Sequence, residues 1–155
     1  MRRSQQCHTA GFTLIEILIV VVILGILAAI VVASFGRSTH DAANGTFVTN
    51  IRAYASAFAV YNHRKNGYPP DQNQGVFPPE LAPAIHPDEW TRPTPIGGQW
   101  DWDFGQFGLT AGVSVYQPDR TPDEMADIDK IIDDGNLSPG VFRQRANGYI
   151  FILQQ

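Results

Sequence analysis

The sequence predicts an α+β fold in which a long N-terminal α-helix, transmembrane in its first half, packs on a small antiparallel β-sheet domain. Three observations predict this fold. Residues 17–35 are apolar and contain neither charge nor proline, and large apolar side chains then recur at helical spacing over 47–61. The last third of the chain has short alternating segments separated by turn residues.

Composition excludes several classes of protein. The chain has 155 residues, of which 44% are hydrophobic and 17% charged, and its formal net charge is −4. A single cysteine, Cys7, rules out a disulfide scaffold. The negative charge argues against electrostatic binding of nucleic acid, so we predict no nucleic-acid partner.

The apolar run is long enough to cross a membrane. As a helix, residues 12–35 would be roughly 36 Å long, and spanning the hydrocarbon core needs about 20 residues. In a secretory signal peptide a short apolar region precedes the small-residue cleavage site, but here the small residue, Gly11, comes first. Arg2 and Arg3 before the run favour a cytoplasmic N-terminus.

Glu16 lies inside the segment 12–35 that would cross the membrane. A carboxylate at membrane depth is costly and requires either a partner or a position at the interface, and both alternatives are open on physical grounds. A free N-terminus generated at Phe12 would supply an ammonium group at the same depth, which could pair with Glu16 of a neighbouring subunit.

Residues 11–16, Gly-Phe-Thr-Leu-Ile-Glu, stand between a short basic leader and the apolar run. This arrangement resembles the class III signal of type IV pilins and type II secretion pseudopilins. The resemblance implies cleavage after Gly11 by a prepilin peptidase and N-methylation of Phe12. It also implies that Glu16 neutralises the terminal amine of a neighbouring subunit during assembly. Removal of residues 1–11 would leave a chain without cysteine.

The second half of the helix is predicted to be amphipathic. Spacings of 4, 3, 4 and 3 mark one face, made of Phe47, Ile51, Tyr54, Phe58 and Tyr61. We expect Ala55 and Ala59 to fill the same face. Asn66-Gly67, followed by two prolines, should end the helix.

Three glycines interrupt the predicted helix: Gly25, Gly36 and Gly45. Each costs about 1 kcal/mol relative to alanine. They could allow bending or close packing, or they could let the segment between Gly25 and Gly36 extend during assembly. Many pilins have a proline in this region, whereas this chain has Ala33 and Gly36, so melting of the segment stays open.

After the helix, residues 68–98 form a proline-rich stretch that predicts an ordered surface loop with a helical turn near 79–84. Residues 99–104 and 111–117 alternate as strands do, with 105–108 as their connection. The motif Asn-Gly-Tyr-Pro at 66–69, at the end of the helix, is similar to the motif of major pseudopilins but one residue shorter.

The C-terminal part predicts one helix and a hairpin. Residues 121–124, Thr-Pro-Asp-Glu, have the pattern of a capping box, and Gly135 is a natural helix end. Segments 141–145 and 149–153 flank Ala-Asn-Gly at 146–148, a strong hairpin signal. The helix should cover a small antiparallel sheet.

Seven acids lie between Asp119 and Asp134. Major pseudopilins, which the chain resembles, often hold calcium in a C-terminal loop, and calcium prefers oxygen ligands. Here Asp123 and Asp127 have helical spacing, which favours a solvated helix face. We therefore predict no metal and no cofactor, with calcium as the open alternative.

The aromatic residues of the domain are predicted to be core, with an exposed sugar-binding or partner-binding strip as the alternative. They are Trp90, Trp100, Trp102, Phe104, Phe107 and Tyr116. The histidines lack metal-ligand spacing, and the sequence contains no nucleophile elbow or phosphate loop. We predict that the protein is not an enzyme.

The sequence divides into a leader (1–11), a transmembrane assembly helix (12–36), an amphipathic helix (37–66) and a periplasmic α+β domain (67–155). We expect a structural subunit of a type II secretion pseudopilus that supports protein export. The alternatives are a type IV pilus pilin and a membrane-anchored periplasmic binding module that does not polymerise.

The resemblance implies three kinds of partner. They are the prepilin peptidase and N-methyltransferase, other pilin-like subunits in a homo- or hetero-oligomeric filament, and an inner-membrane assembly platform. The expected location is the inner membrane with the C-terminal domain in the periplasm, and then the filament.

Overall fold

The computed structural model describes residues 12–155, apart from the side chains of 33–37. The predicted leader and its last residue, Gly11, lie outside the described residues. The chain divides into two units between His40 and Asp41. We call residues 41–155 the globular unit. The fold is α+β, as the sequence predicts.

Helix α1, Leu14–Lys65, is a single α-helix of 52 residues. The predicted long helix is therefore confirmed, and it starts two residues after Phe12. A Cβ atom added at Gly25 or Gly45 would meet nothing within 4 Å, so neither glycine is required by a close contact within the chain. Whether the helix melts near Gly25 on assembly stays a prediction.

The first part of α1 fits a membrane anchor. Residues Leu14–Val32, 19 in all, have a mean hydropathy of 3.3, and none of this segment is buried. Length and composition are those of a membrane-crossing helix. A helix that is apolar on every side is stable only where its surroundings are apolar too.

A four-stranded antiparallel sheet forms the centre of the globular unit. Its strands are β1, Gln99–Phe104; β2, Ala111–Tyr116; β3, Phe142–Arg145; and β4, Gly148–Gln154. Their order is β1-β2-β4-β3. The predicted strands and hairpin are confirmed, and the β3–β4 turn consists of Ala146 and Asn147, since Arg145 pairs with Gly148.

Two short helices and a 3₁₀ turn accompany the sheet. The turn, Pro79–Leu81, lies where the sequence predicts one. Helix α3, Pro122–Ile132, begins with the predicted capping box between Thr121 and Glu124. Helix α2, Pro87–Thr91, was not predicted, although a proline at its first turn followed by two acids was a usable signal.

Stacked aromatic rings join α1 to the sheet within the globular unit. Phe47 stacks on Trp100 with ring centroids 5.3 Å apart, and Phe58 stacks on Trp102 at 3.6 Å. Tyr54 meets Trp100 edge-on at 5.0 Å. The amphipathic face predicted from the sequence is thus confirmed as the face of α1 that packs on the sheet.

Some of the predicted core residues lie elsewhere. Ala55 is buried and Tyr61 is half-buried, but Ala59 is exposed, so the prediction for Ala59 was wrong. Ala59 points about 100° away from Phe58, further round the helix than Ala55, and so lies beyond the packed face. Val48, which was not predicted, is buried beside Phe47.

The aromatic cluster is only partly core. All three tryptophans are buried, with exposed fractions of 0 to 1%. Phe104 and Phe107 are 37% and 49% exposed, so the core prediction was wrong for these two. Phe104 ends β1, where its ring centroid lies 6.0 Å from that of Tyr68, and Phe107 lies in the β1–β2 loop. Tyr116 is half-buried.

Arg52 ties two helices of the globular unit together. Its Nη2 atom donates to the carbonyl oxygens of Ile131, at 2.9 Å, and Ile132, at 3.2 Å. The last carbonyls of a helix have no partner within the helix, so a guanidinium there caps α3 from outside.

We expect Gly45→Ala to raise the free energy of unfolding by about 0.5–1 kcal/mol, because the alanine stiffens the unfolded chain and meets no obstacle in α1. Tryptophan fluorescence during denaturant unfolding of the full chain in detergent measures this free energy, since all three tryptophans are buried. Gly98→Ala is the matched control and should destabilise, because its φ is +73° and its Cβ would collide with the Tyr116 carbonyl oxygen. An equal decrease of the free energy of unfolding in both variants would contradict the expectation.

Candidate functional site

The N-terminus of α1 holds Glu16 in a closed hydrogen-bond ring with Thr13. The backbone N–H of Thr13 donates to Glu16 Oε2 at 2.8 Å, and its hydroxyl donates to the same oxygen at 2.7 Å. The backbone N–H of Glu16 donates in turn to Thr13 Oγ1 at 3.3 Å. This is a capping box, which satisfies two backbone donors that a helix start leaves open.

The ring explains how a carboxylate is tolerated in so apolar a segment. A charged side chain in hydrocarbon must have its acceptors satisfied, and Thr13 supplies two donors from the same chain. Both residues are exposed, so the carboxylate is accessible from outside the helix. Phe12, the predicted new N-terminus, is 81% exposed beside it.

Thr13 is the residue that the sequence analysis missed. The pattern Thr-x-x-Glu at 13–16 is the one recognised at 121–124, where the structure shows an equivalent ring. The signal was therefore present. Of the predicted processing and assembly residues, Phe12 lies just before α1 and Glu16 lies in its first turn. Gly11 falls outside the described residues.

A second polar cluster is buried in the sheet. Arg145 Nη2 donates to Asp101 Oδ2 at 2.6 Å, and Arg145 Nε lies 3.6 Å from Asp103 Oδ2. Their side chains are between 2 and 7% exposed. The Ser114 hydroxyl donates to Asp103, and the guanidinium lies 4.8 Å from the ring centroid of Phe107. The guanidinium thus joins the β3 strand to β1 across the sheet.

Two carboxylates sharing one guanidinium leave a net negative charge in a poorly solvated place. The pKa of Asp101 is raised to about 6, chiefly by burial and also by the charge of Asp103, while Arg145 opposes both. Burial also raises the pKa of Asp103, against the hydrogen bond from Ser114 and the charge of Arg145. Among the residues that the structure describes, Asp101 Oδ1 has no hydrogen-bond partner. The sequence analysis did not identify this cluster.

The acidic segment departs from prediction at one residue. Asp129 is fully buried, so a solvated helix face was the wrong prediction there. Its pKa is raised, chiefly by burial and further by the charges of Asp133 and Asp134. The burial follows from its place beside Met125 and Ile128, which turn the inner face of α3 into the core.

Two carboxylates of the loop after α3 form hydrogen bonds within the loop. Asp133 Oδ2 accepts the Val141 N–H at 2.6 Å, and Asp134 Oδ1 accepts the Asn136 N–H at 2.8 Å. Within residues 12–155, no group of three or more acidic, histidine or cysteine side chains is placed to hold a metal ion. The expectation of no metal, with calcium as the alternative, stays a prediction.

Comparison with protein families places a known signal at the helix start. A family model described as the prokaryotic N-terminal methylation motif matches residues 7–32. The matched region contains Gly11, Phe12, Thr13 and Glu16, and it ends where the apolar span ends.

Comparison with curated proteins finds relatives over most of the chain. The type II secretion system core protein G of Dickeya chrysanthemi is 31% identical over 158 aligned residues, covering 96% of this chain and 97% of that protein. The protein of the same name from Pseudomonas aeruginosa is 48% identical over 95 residues, 59% of this chain and 63% of that one.

A different relative is the type IV major pilin protein PilA of Myxococcus xanthus. It is 39% identical over 70 residues, which cover 45% of this chain and 32% of that protein. No solved structure gives a significant match.

We expect the free energy of unfolding contributed by Asp101 to fall as pH rises. The folded pKa, about 6, lies above the usual 3.8, so this contribution is complete below about pH 4 and is lost as pH passes about 6. Asp101→Asn cannot titrate, so its stability relative to the parent should rise by about 1–3 kcal/mol between pH 4 and pH 7.

Denaturant unfolding of the full chain in detergent at a series of pH values measures this difference. Asp88→Asn, on the exposed side of α2, is the control and should follow the parent profile. Parallel profiles for Asp101→Asn and the parent would contradict the assignment of the raised pKa to this carboxyl.

Proposed function

We propose that this chain, which belongs to the type II secretion system core protein G family, is a pseudopilin that polymerises through its N-terminal helix to support protein export. Membership of the family rests on relatives that are more than 30% identical and covered along nearly their whole length. The observation that carries the proposal is the exposed carboxylate of Glu16 at the first turn of an exposed apolar helix.

Processing is the first step of the proposal. A prepilin peptidase and N-methyltransferase would cut between Gly11 and Phe12 and methylate the amine of Phe12. The methylation motif, which spans the bond to be cut, supports this step. Cleavage would place an ammonium group one residue before Thr13, at the same end of α1 as Glu16.

Assembly follows from the chemistry of that helix end. In the single chain, Glu16 accepts two hydrogen bonds from Thr13, one from the neutral hydroxyl and one from the backbone. A neighbouring ammonium offers a charge-assisted hydrogen bond, which is about twice as strong as a neutral one. Exchange of partners would let Glu16 set the axial position of the neighbouring subunit, while the apolar surfaces of 14–32 pack together.

The location of the protein is also part of the proposal. The apolar helix fits a single membrane anchor. Arg2 and Arg3 would keep the N-terminus in the cytoplasm and leave the globular unit in the periplasm. Partners would be other pilin-like subunits and an inner-membrane assembly platform. We propose no cofactor and no metal.

A type IV pilus pilin is the second candidate, because the Myxococcus xanthus relative is named as a major pilin. The two machines differ in their output. Deletion of the gene should abolish secretion of exported proteins if the chain is a pseudopilin, and surface filaments with twitching if it serves a pilus.

We expect the protein purified from its native membrane to begin at N-methylated Phe12. Mass spectrometry of the N-terminal peptide measures this directly. A peptide that starts at Met1, in cells with an active prepilin peptidase, would remove the ammonium on which the assembly step depends. A membrane-anchored binding module would then be the better proposal.

We expect Glu16→Gln to be processed normally and yet fail to form filaments. Removing one partner of a buried ion pair costs about 3–5 kcal/mol, and the loss recurs at every subunit. Electron microscopy of sheared fractions and the mass of the N-terminal peptide give the two readouts. Glu89→Gln, exposed on α2, is the matched control. Normal filaments from Glu16→Gln would reject the role of this carboxylate.

A further inference from the structure

A groove of about 130 Å³ lies between the last turns of α1 and the 3₁₀ turn. Its floor is apolar and includes Val60, Leu81 and Pro83. Val60 is 45% exposed, although it lies on a helix whose opposite face is fully buried. The groove is part of the globular unit and plays no role in the processing or pairing of the N-terminus.

Charged groups border the groove. Arg64 and Lys65 are exposed and form no ion pair with any of the residues that the structure describes. On the other side, Glu80 has a buried oxygen, Oε2, without a hydrogen-bond partner among the described residues. An apolar floor and two cations without an ion pair together describe a surface that is incomplete in the single chain.

The outer face of α3 has the complementary chemistry. Asp123, Asp127 and Ile131 follow one another at intervals of four along it. Ile131 is 51% exposed one turn after Asp127. Lys130 pairs with Asp127 at 2.7 Å and places one cation at the side of this face.

We propose that the groove receives the outer face of α3 from a second copy of this chain. Ile131 would cover the apolar floor, and Asp123 and Asp127 would face Arg64 and Lys65. The two surfaces are different, so the contact is heterologous and propagates from subunit to subunit. The proposal rests on the proposed function, because it assigns a periplasmic contact to the same filament.

Cations at a helix C-terminus have another use, because they interact favourably with the helix dipole. That role would concern the stability of the single chain and would not require an acidic partner. The apolar groove floor is not explained by it. The two roles therefore differ in whether a reversed charge on α3 can compensate for a reversed charge on α1.

Cysteine cross-linking tests the contact directly, since the processed chain would contain no cysteine of its own. Lys65→Cys combined with Asp127→Cys should give a ladder of disulfide-linked oligomers when assembled filaments are oxidised. Lys65→Cys combined with Asp88→Cys is the matched control and should give none beyond dimers. A ladder equal to that of the control would overturn the proposal even where filaments are normal.

Charge reversal gives a second, independent test. Arg64→Glu with Lys65→Glu should lose filaments, and so should Asp123→Lys with Asp127→Lys. The four changes combined should restore filaments. Thermal unfolding of each full chain in detergent separates this effect from loss of folding. Normal filaments from either pair, or no rescue by the combination in a folded chain, would overturn the proposal.

The unaltered chain distinguishes this contact from the proposed function as a whole. If the parent protein is cleaved and forms filaments while the cross-link and the rescue fail, the α3 contact is wrong and the pseudopilin proposal stands. If the parent forms no filaments in a cell with a working secretion machine, both proposals fall together.

Discussion

The globular unit depends on the contact between one face of α1 and one face of the sheet. Phe47 and Phe58 stack on Trp100 and Trp102, and Tyr54 fills the space between them. A four-stranded sheet of short strands has too little apolar area to be stable alone, so the helix must supply part of the core. The same helix also provides the apolar segment that fits a membrane. Sequence changes in the aromatic face therefore affect the support on which the sheet, α2 and α3 are built.

Two carboxylates in poorly solvated places take hydrogen bonds from near neighbours. Glu16 takes its donors from Thr13, three residues away, and Asp103 takes one from Ser114 on the adjacent strand. Arg145 is balanced by two carboxylates and lowers the pKa of each, against burial, which raises both. These solutions differ in one respect that matters. The ring at Glu16 is exposed and can exchange partners, whereas the Arg145 cluster is closed and serves the fold.

Local patterns in the sequence predicted most of the fold. The helix face, the strands β1 and β2, the capping box of α3 and the hairpin turn each depend on residues close in sequence, and all are confirmed. The pairing of Arg145 with Asp101 joins residues 44 apart, and no periodicity reports such a distance. Burial of Asp129 depends on how α3 is rotated in the core, which its acid content alone does not reveal. The role of Thr13 was indicated by the Thr-x-x-Glu pattern at 13–16, but only its acid, Glu16, was interpreted.

The bonds from Arg52 to the end of α3 have a mechanical consequence. Its guanidinium holds the carbonyl oxygens of Ile131 and Ile132. A load applied to α3 is therefore passed to α1 through these bonds, beside the packing of Met125 and Ile128 in the core. Two hydrogen bonds in parallel share that load and resist a pull along their common direction better than either alone. Helix α3, of 11 residues, is in this way attached to α1, of 52 residues.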